Sequence, residues 1–319
     1  MKKLLITGFL LIIFIFGGVV KISSVLAYQN LEESLDTEDS FDVSSFRENT
    51  YARKLTSWLE TYDYANISED RVLLSAFQAI NDSQIYIDPD YHNSYVVELD
   101  KNEEIVIRYN AQSENLYEIG FDLFMPEVFY TIPTIQVMVN DQILYNELSE
   151  LQIDVSWKLE PLDEEVKYNR YGNELLPKSS SVHEWSKLYL SDFYSLFSDN
   201  YQFLLNDGWN EIKALNLPVK IGSFYFRGKP DSISYEEYQD SYKDKPSTTT
   251  DEIITVQGEN FSYKNDLEVK SSYYKESAMT PYSYKHTVLN QLDGSSMARG
   301  GTKVSYEFDV AVSGYYNIA

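Results

Sequence analysis

From Val72 onward the sequence is cut into short runs of β-branched and aromatic residues, each closed within a few positions by Asp, Asn, Gly or Pro. Ile85-Tyr86-Ile87, Tyr95 to Leu99 and Ile105 to Tyr109 are of this kind. Tyr117 to Leu123 and Ile135 to Val139 alternate strictly, which predicts strands with one buried and one exposed face. The second of these ends in Asn140-Asp141, a pair suited to a hairpin turn. A long insertion rich in Trp and Tyr follows, from about Trp157 to Phe203. Phe203-Leu204-Leu205, Asn206-Asp207-Gly208 and Trp209 to Ile212 then read as strand, turn, strand, and Ile221 to Phe226 as the last strand of the block. Turn signals about every 8–12 residues between short strands imply an all-β sandwich or barrel. A chain of 319 residues allows about two such domains.

Composition narrows the chemistry. There is no Cys, which excludes a disulfide scaffold, thiolate catalysis and Cys-held metal centres. His92, His183 and His286 stand far apart in the sequence and leave little room for His-rich metal chemistry. Fifty Asp and Glu against 26 Lys and Arg give a net charge of −24, which opposes binding to nucleic acid or to an anionic lipid surface. With 28 Tyr and 16 Phe, the balance is that of an extracellular β-rich bacterial protein.

The N-terminus agrees. Lys2 and Lys3 precede an apolar run from Leu4 to Val20, and Val25-Leu26-Ala27 puts small residues where a signal peptidase cuts. An uncleaved membrane anchor is the competing reading of residues 1–27. Contact with a membrane is expected through this segment alone. Residues 28–66 read as an acidic stalk followed by a short amphipathic helix, in which Leu55, Trp58, Leu59 and Tyr62 recur at helical spacing. That stripe is expected to pack on the following domain. Residues 67–229 form the first β-module. Residues 230–252, with two Pro and the run Ser247 to Thr250, form a linker, and residues 253–319 resume β-patterning.

One internal repeat is visible. Ile105, Ile107, Tyr109, Ala111, Leu116, Tyr117 and Ile119 match Val304, Tyr306, Phe308, Val310, Tyr315, Tyr316 and Ile318 at a constant offset of 199 residues. The match predicts two copies of one sandwich, the second incomplete by residue 319.

Several stretches resemble a known family. Ile254 to Phe261 opens the second module, and Lys264-Asn265-Asp266, Thr280-Pro281-Tyr282, Leu289-Asn290 and Gly294-Ser295-Ser296 follow. The stretches Val304 to Val310 and Ser313 to Ile318 close it. This order resembles galactose-binding-like carbohydrate-binding modules, similar to families six and thirty-five. Asn206 to Ile212 looks like the late Gly-x-Asn-x-Ile strand of the same fold. Ser234 to Tyr238 is similar to junctions in large Gram-positive surface proteins that place such modules ahead of sugar ABC-transporter solute-binding domains.

The resemblance implies tandem jelly-roll β-sandwiches on the cell surface, non-catalytic binding of an oligo- or polysaccharide, and ABC-transporter components as partners. It also implies a structural calcium site at Gln257 and Glu259, although Gln257 stands where relatives carry a carboxylate. Met297 replaces a Trp that relatives often carry after the Gly-Ser-Ser turn.

Sugar recognition needs flat aromatic faces together with planar polar groups. Trp157, Trp185, Tyr282 and Tyr284 lie in segments that read as loops and are the candidates, with ordinary packing as the plain alternative for each. Trp209, beside the Gly208 turn, is expected to be structural. Acidic pairs such as Glu103-Glu104 and Glu164-Glu165 read as solvated loops, and no Gly-x-Ser-x-Gly elbow, Walker loop or His-Glu-x-x-His helix occurs. An adhesion or scaffold protein without sugar binding, or the N-terminal part of a glycoside-active enzyme, are the alternative functions.

Overall fold

A computed structural model describes residues 48–74, 85–101, 103–160, 167–215, 218–243, 253–312 and 316. The expected export segment, nearly all of the acidic stalk, and Tyr315 and Ile318 of the repeat lie outside the described residues. The chain divides into two units, Met1–Asn49 and Thr50–Ala319, and everything below concerns the second.

Helix α1 (Tyr51–Trp58) comes first. The strands follow in order: β1 (Asp70–Val72), β2 (Ile85–Asp88), β3 (Ser94–Glu98), β4 (Glu104–Ala111), β5 (Asn115–Phe124) and β6 (Thr134–Val139). Next are β7 (Leu151–Gln152), β8 (Trp157–Leu159), β9 (Ser179–Ser181), β10 (Ser186–Tyr189), β11 (Gln202–Leu205), β12 (Gly208–Leu215) and β13 (Lys220–Arg227). Helix α2 (Tyr235–Ser241) precedes β14 (Tyr263–Lys264), β15 (Ser271–Ser272), β16 (Gln291–Leu292) and β17 (Val304–Ser305).

Two antiparallel sheets make the sandwich. One runs β10-β5-β13-β3-β2, with β11 continuing the edge of β5 and β1 sharing the side of β13 with β3. The other runs β4-β12-β6-β7. Alternation in β4 sends Ile105, Ile107, Tyr109 and Ala111 inward, where they meet Phe121, Phe224 and Phe226 from the facing sheet. Tyr109 stacks on Phe226 with ring centroids 3.8 Å apart and planes 3° from parallel. The Asn140-Asp141 turn forms as expected, with both residues at positive φ and Val139 and Gln142 exchanging backbone hydrogen bonds.

Strand β6 keeps one covered face and one open face, but β5 does not. Its core-facing residues Tyr117, Ile119, Phe121 and Leu123 are buried, and so are Glu118 and Asp122 on the other face. Neighbouring strands cover that second face. Arg227 pairs with Glu118 at 2.8 Å, and the hydroxyls of Tyr91 and Tyr225 donate to Asp122. Lys187 lies 3.6 Å from the Tyr225 ring centroid, so its ammonium roofs the same patch. A bulge in β13 between Ile221 and Phe224 makes room for Tyr91: a Cβ on Gly222 would stand 2.4 Å from its ring.

Helix α1 is shorter than its apolar stripe. Tyr51, Leu55 and Trp58 pack on the sandwich, with Tyr51 edge-on to Phe197 and Tyr201, while Leu59 falls after the last turn and is exposed. Helix α2 lies within the expected linker. It is closed by a capping box between Ser234 and Glu237, and none of its residues is buried.

In residues 253–312 the described strands are two residues long. Strand β14 bonds to β17 on one side and to β8, from the insertion of the first module, on the other. Strand β9 completes this third sheet, and β15 and β16 form a separate pair. Among the described residues of the second repeat copy, Val304 and Ser305 form the strand portion, against eight residues in β4.

Candidate functional site

A cleft of about 540 Å³ opens where the insertion and the 253–312 segment meet. One wall is the Pro-bounded loop between β5 and β6, which contributes Phe129, Tyr130, Thr131 and Ile132; the other is the turn Asn265 to Glu268 with Arg299. Val155 and Trp157 line its base.

The aromatic part has two layers. Trp157 begins β8 and is only 4% exposed, and the Tyr130 ring lies 6.1 Å from it, inclined by 39°. Tyr130 itself is 79% exposed, so its ring is the one in this pair that a ligand can reach. Trp157 is thus a strand residue supporting a platform, where the sequence suggested a loop aromatic that would stack directly.

The polar wall is held by side-chain struts. Asn265 donates to Asp154 Oδ1 and to the Gly301 carbonyl, both at 2.8 Å, and accepts from the Lys303 amide at 2.7 Å. All of these bonds are structural. Lys264 is buried, and burial lowers its pKa; its ammonium donates to the carbonyls of Leu267 and Val269, fixing the turn between them. Asp266 accepts from the Glu268 amide at 3.0 Å and pairs with Arg299 at 3.1 Å. The half-exposed Arg299 guanidinium has further donors in its planar fork, and Glu268 is exposed. The cleft therefore offers an aromatic face, a planar cation and carboxylates to one ligand.

The other sequence candidates lie elsewhere. Trp185 precedes β10 and packs on Tyr91 and Phe124, with centroids 4.3 and 5.5 Å away. Its indole Nε1 is buried with no hydrogen-bond partner. Tyr282 and Tyr284 are exposed, at 43% and 86%, and neither lines the cleft. Trp209 stands 70% exposed on the outer face of β12, a correction to its expected structural role. Alternation explains the difference, because Ile212 and Ala214 take the inward positions of that strand. The residue missed from sequence is Tyr130; a Phe-Tyr pair in a loop between Pro126 and Pro133 was the available signal.

Glu259 is 6% exposed, and its Oε2 is buried with no partner. Burial raises its pKa, reinforced by the charge of Glu174. Gln257, two residues earlier, is half-buried. Among the described residues no group of three or more His, Cys, Asp and Glu side chains is poised for a metal. To an oxygen-ligated cation such as calcium, Glu259 would offer its buried, unpartnered Oε2. The orphaned hard oxygen fits such an ion.

No protein-family profile and no curated protein matches the chain. Among solved structures, a family 35 carbohydrate-binding module from Clostridium thermocellum is similar over 49% of this chain and 97% of its own, at 16% identity and a TM-score of 0.26. The CBM36-1 domain of a multidomain xylanase from the hindgut metagenome of Trinervitermes trinervoides aligns over 52% of this chain and all of its own, at 4% identity and a TM-score of 0.29. The Podospora anserina GH26-CBM35 β-(1,4)-mannanase aligns at 12% identity and a TM-score of 0.27, over 52% of this chain but 28% of the enzyme. The all-β sandwich is established by the chain's own facing antiparallel sheets.

Proposed function

We propose that this chain is an exported, non-catalytic carbohydrate-binding protein whose site is the Tyr130–Arg299 cleft. The observation that carries the reading is one cleft lined both by the reachable Tyr130 ring and by Arg299, Asp266 and Glu268. Pyranose rings present C–H faces to aromatic planes and hydroxyls to planar polar groups, so this donor and acceptor set suits an oligo- or polysaccharide. The sequence resemblance to surface modules extends the proposal to extracellular sugar capture for an ABC transporter, held at the membrane through the N-terminal segment. Structural calcium at Glu259 and Gln257 belongs to the same proposal. Bound there, the ion would partner the buried Oε2 that the protein's own groups leave without a hydrogen bond.

The test is a glycan-array screen of the full exported chain, with and without calcium. Replacing Tyr130 or Arg299 by Ala should weaken the binding of any glycan found by about tenfold or more. A folded sample that binds no glycan overturns the reading.

One observation favours a second reading. Phe308, Val310 and Val312 are exposed in the segment after β17, apolar surface that suits contact with another protein. A blank glycan screen together with self-association lost on Phe308→Ser would put the scaffold role first.

A further inference from the structure

Two exposed features of this chain complement one another. The first is a lobe made by the loops 168–178 and 270–287. The amides of Thr287 and Leu289 donate to Asn173 Oδ1 and Glu174 Oε2, both at 2.8 Å, and His286 Nδ1 lies 3.1 Å from the Tyr171 carbonyl. Asn290 in turn donates to the carbonyls of Tyr274 and Pro281. So knitted, the lobe leaves Tyr168, Tyr171, Tyr273, Tyr274, Tyr282 and Tyr284 between 43% and 86% exposed. Over the same two loops five Lys and Arg stand against two Glu, in a chain whose net charge is −24. Lys178, Lys275 and Lys285 are exposed and form no ion pair among the described residues. The lobe is a basic, aromatic island on an acidic protein.

The second feature is α2, whose seven residues are all exposed. A helix this short is marginal by itself in water, and its capping box is a local aid only. Tyr235, Tyr238 and Tyr242 recur at helical spacing and share one side, with the last two ring centroids 4.9 Å apart. Glu236 and Asp240, one turn apart, make an acidic row beside them. The helix thus presents tyrosines and carboxylates, where the lobe presents tyrosines and ammonium groups.

We infer that α2 of one copy of this chain binds the basic tyrosine lobe of a second copy. Within one chain the two surfaces do not cover each other, since both are exposed, so the contact forms between copies. Tyrosine rings supply contact area at low entropic cost, and complementary charges set the register and reject wrong partners. Two molecules of this net charge repel one another at long range. At about 0.15 M ionic strength the screening length is about 8 Å, so that repulsion fades while charges pressed together at the contact still act. The helix also gains the tertiary packing that it lacks in the single chain.

The test is sedimentation equilibrium of the full exported chain at about 0.15 M salt. Species heavier than one chain should appear as concentration rises to about 0.1 mM. Salt of about 1 M, where screening reaches about 3 Å, should weaken the association. Lys275→Glu with Lys285→Glu, and separately Glu236→Lys with Asp240→Lys, should each weaken it by about tenfold or more. All four residues are exposed, so both double variants should fold. Mixed together they should associate again, because each supplies the half that the other has lost. Phe308→Ser should leave the association unchanged, which separates this contact from the apolar segment after β17. A sample that stays monomeric at every concentration overturns the inference. Association that survives both double variants, that their mixture fails to restore, or that Phe308→Ser abolishes overturns it equally.

Discussion

The sandwich and the segment attached to its insertion are held together by different forces. In the sandwich, β4 and β12 pair over eight consecutive residues, and β5 is bonded along its length by β10, β11 and β13. Its backbone ladder and its aromatic core reinforce one another. In the 253–305 region the strands are two residues long, and individual side chains do the joining. Asn265 ties Asp154, Gly301 and Lys303 together, Asn290 bridges Tyr274 and Pro281, and Asn173 and Glu174 hold the amides of Thr287 and Leu289. A ladder distributes the loss of any one residue, whereas a strut does not. The cleft is built at the boundary between these two kinds of construction, with its aromatic wall on the sandwich side and its polar wall on the strut side.

The most damaging break should be Phe226→Ala, which removes the ring stacked on Tyr109. It should cost about 3–5 kcal/mol and lower the global unfolding midpoint in denaturant. Asn265→Ala should cost about 2 kcal/mol, because it removes three part-buried hydrogen bonds at once. Its loss should be local: hydrogen exchange should speed up in 154–159 and 262–305 while β4, β5, β12 and β13 stay protected.

The third comparison uses pH. Burial raises the Glu259 pKa, so the folded state holds that proton more tightly than the unfolded one. Its contribution to stability is present below the ordinary carboxylate pKa and is lost as pH rises through the folded value. Protection of 257–272 in chelator should therefore fall as pH rises from the acid side, and Glu259→Gln should flatten that dependence. Calcium should restore protection at neutral pH in the wild type and not in the variant. The smallest effect is expected at Trp209, exposed despite its size: Trp209→Ala should change stability by no more than about 0.5 kcal/mol, with loss of a solvent-accessible tryptophan emission.

Much of the sandwich could be read directly. The alternation of Ile105, Ile107 and Tyr109, the Asn140-Asp141 turn and the Asn206-Asp207-Gly208 turn are local signals, and each sits where the sequence places it. The double coverage of β5 could not be read, since Arg227, Lys187 and Tyr225 come from other strands to bury Glu118 and Asp122. The second copy of the repeat at offset 199 lies partly outside the described residues; within them, Val304 and Ser305 pair with β14, itself two residues long. The cleft was legible in part: Trp157 was singled out, but the exposed ring is Tyr130, separated from Arg299 by well over a hundred residues of sequence.

The sequence by itself determined the β class, the turns and the absence of thiol chemistry, because side-chain period, turn chemistry and composition are local or summed properties. Tertiary structure alone decided that Trp157 is buried and Trp209 exposed, that Gln202 and Glu259 each keep an unpartnered oxygen, and that Tyr130 and Arg299 line one cleft. Burial and pairing are set by what arrives from distant parts of the chain, and neither is encoded within a window of neighbouring residues.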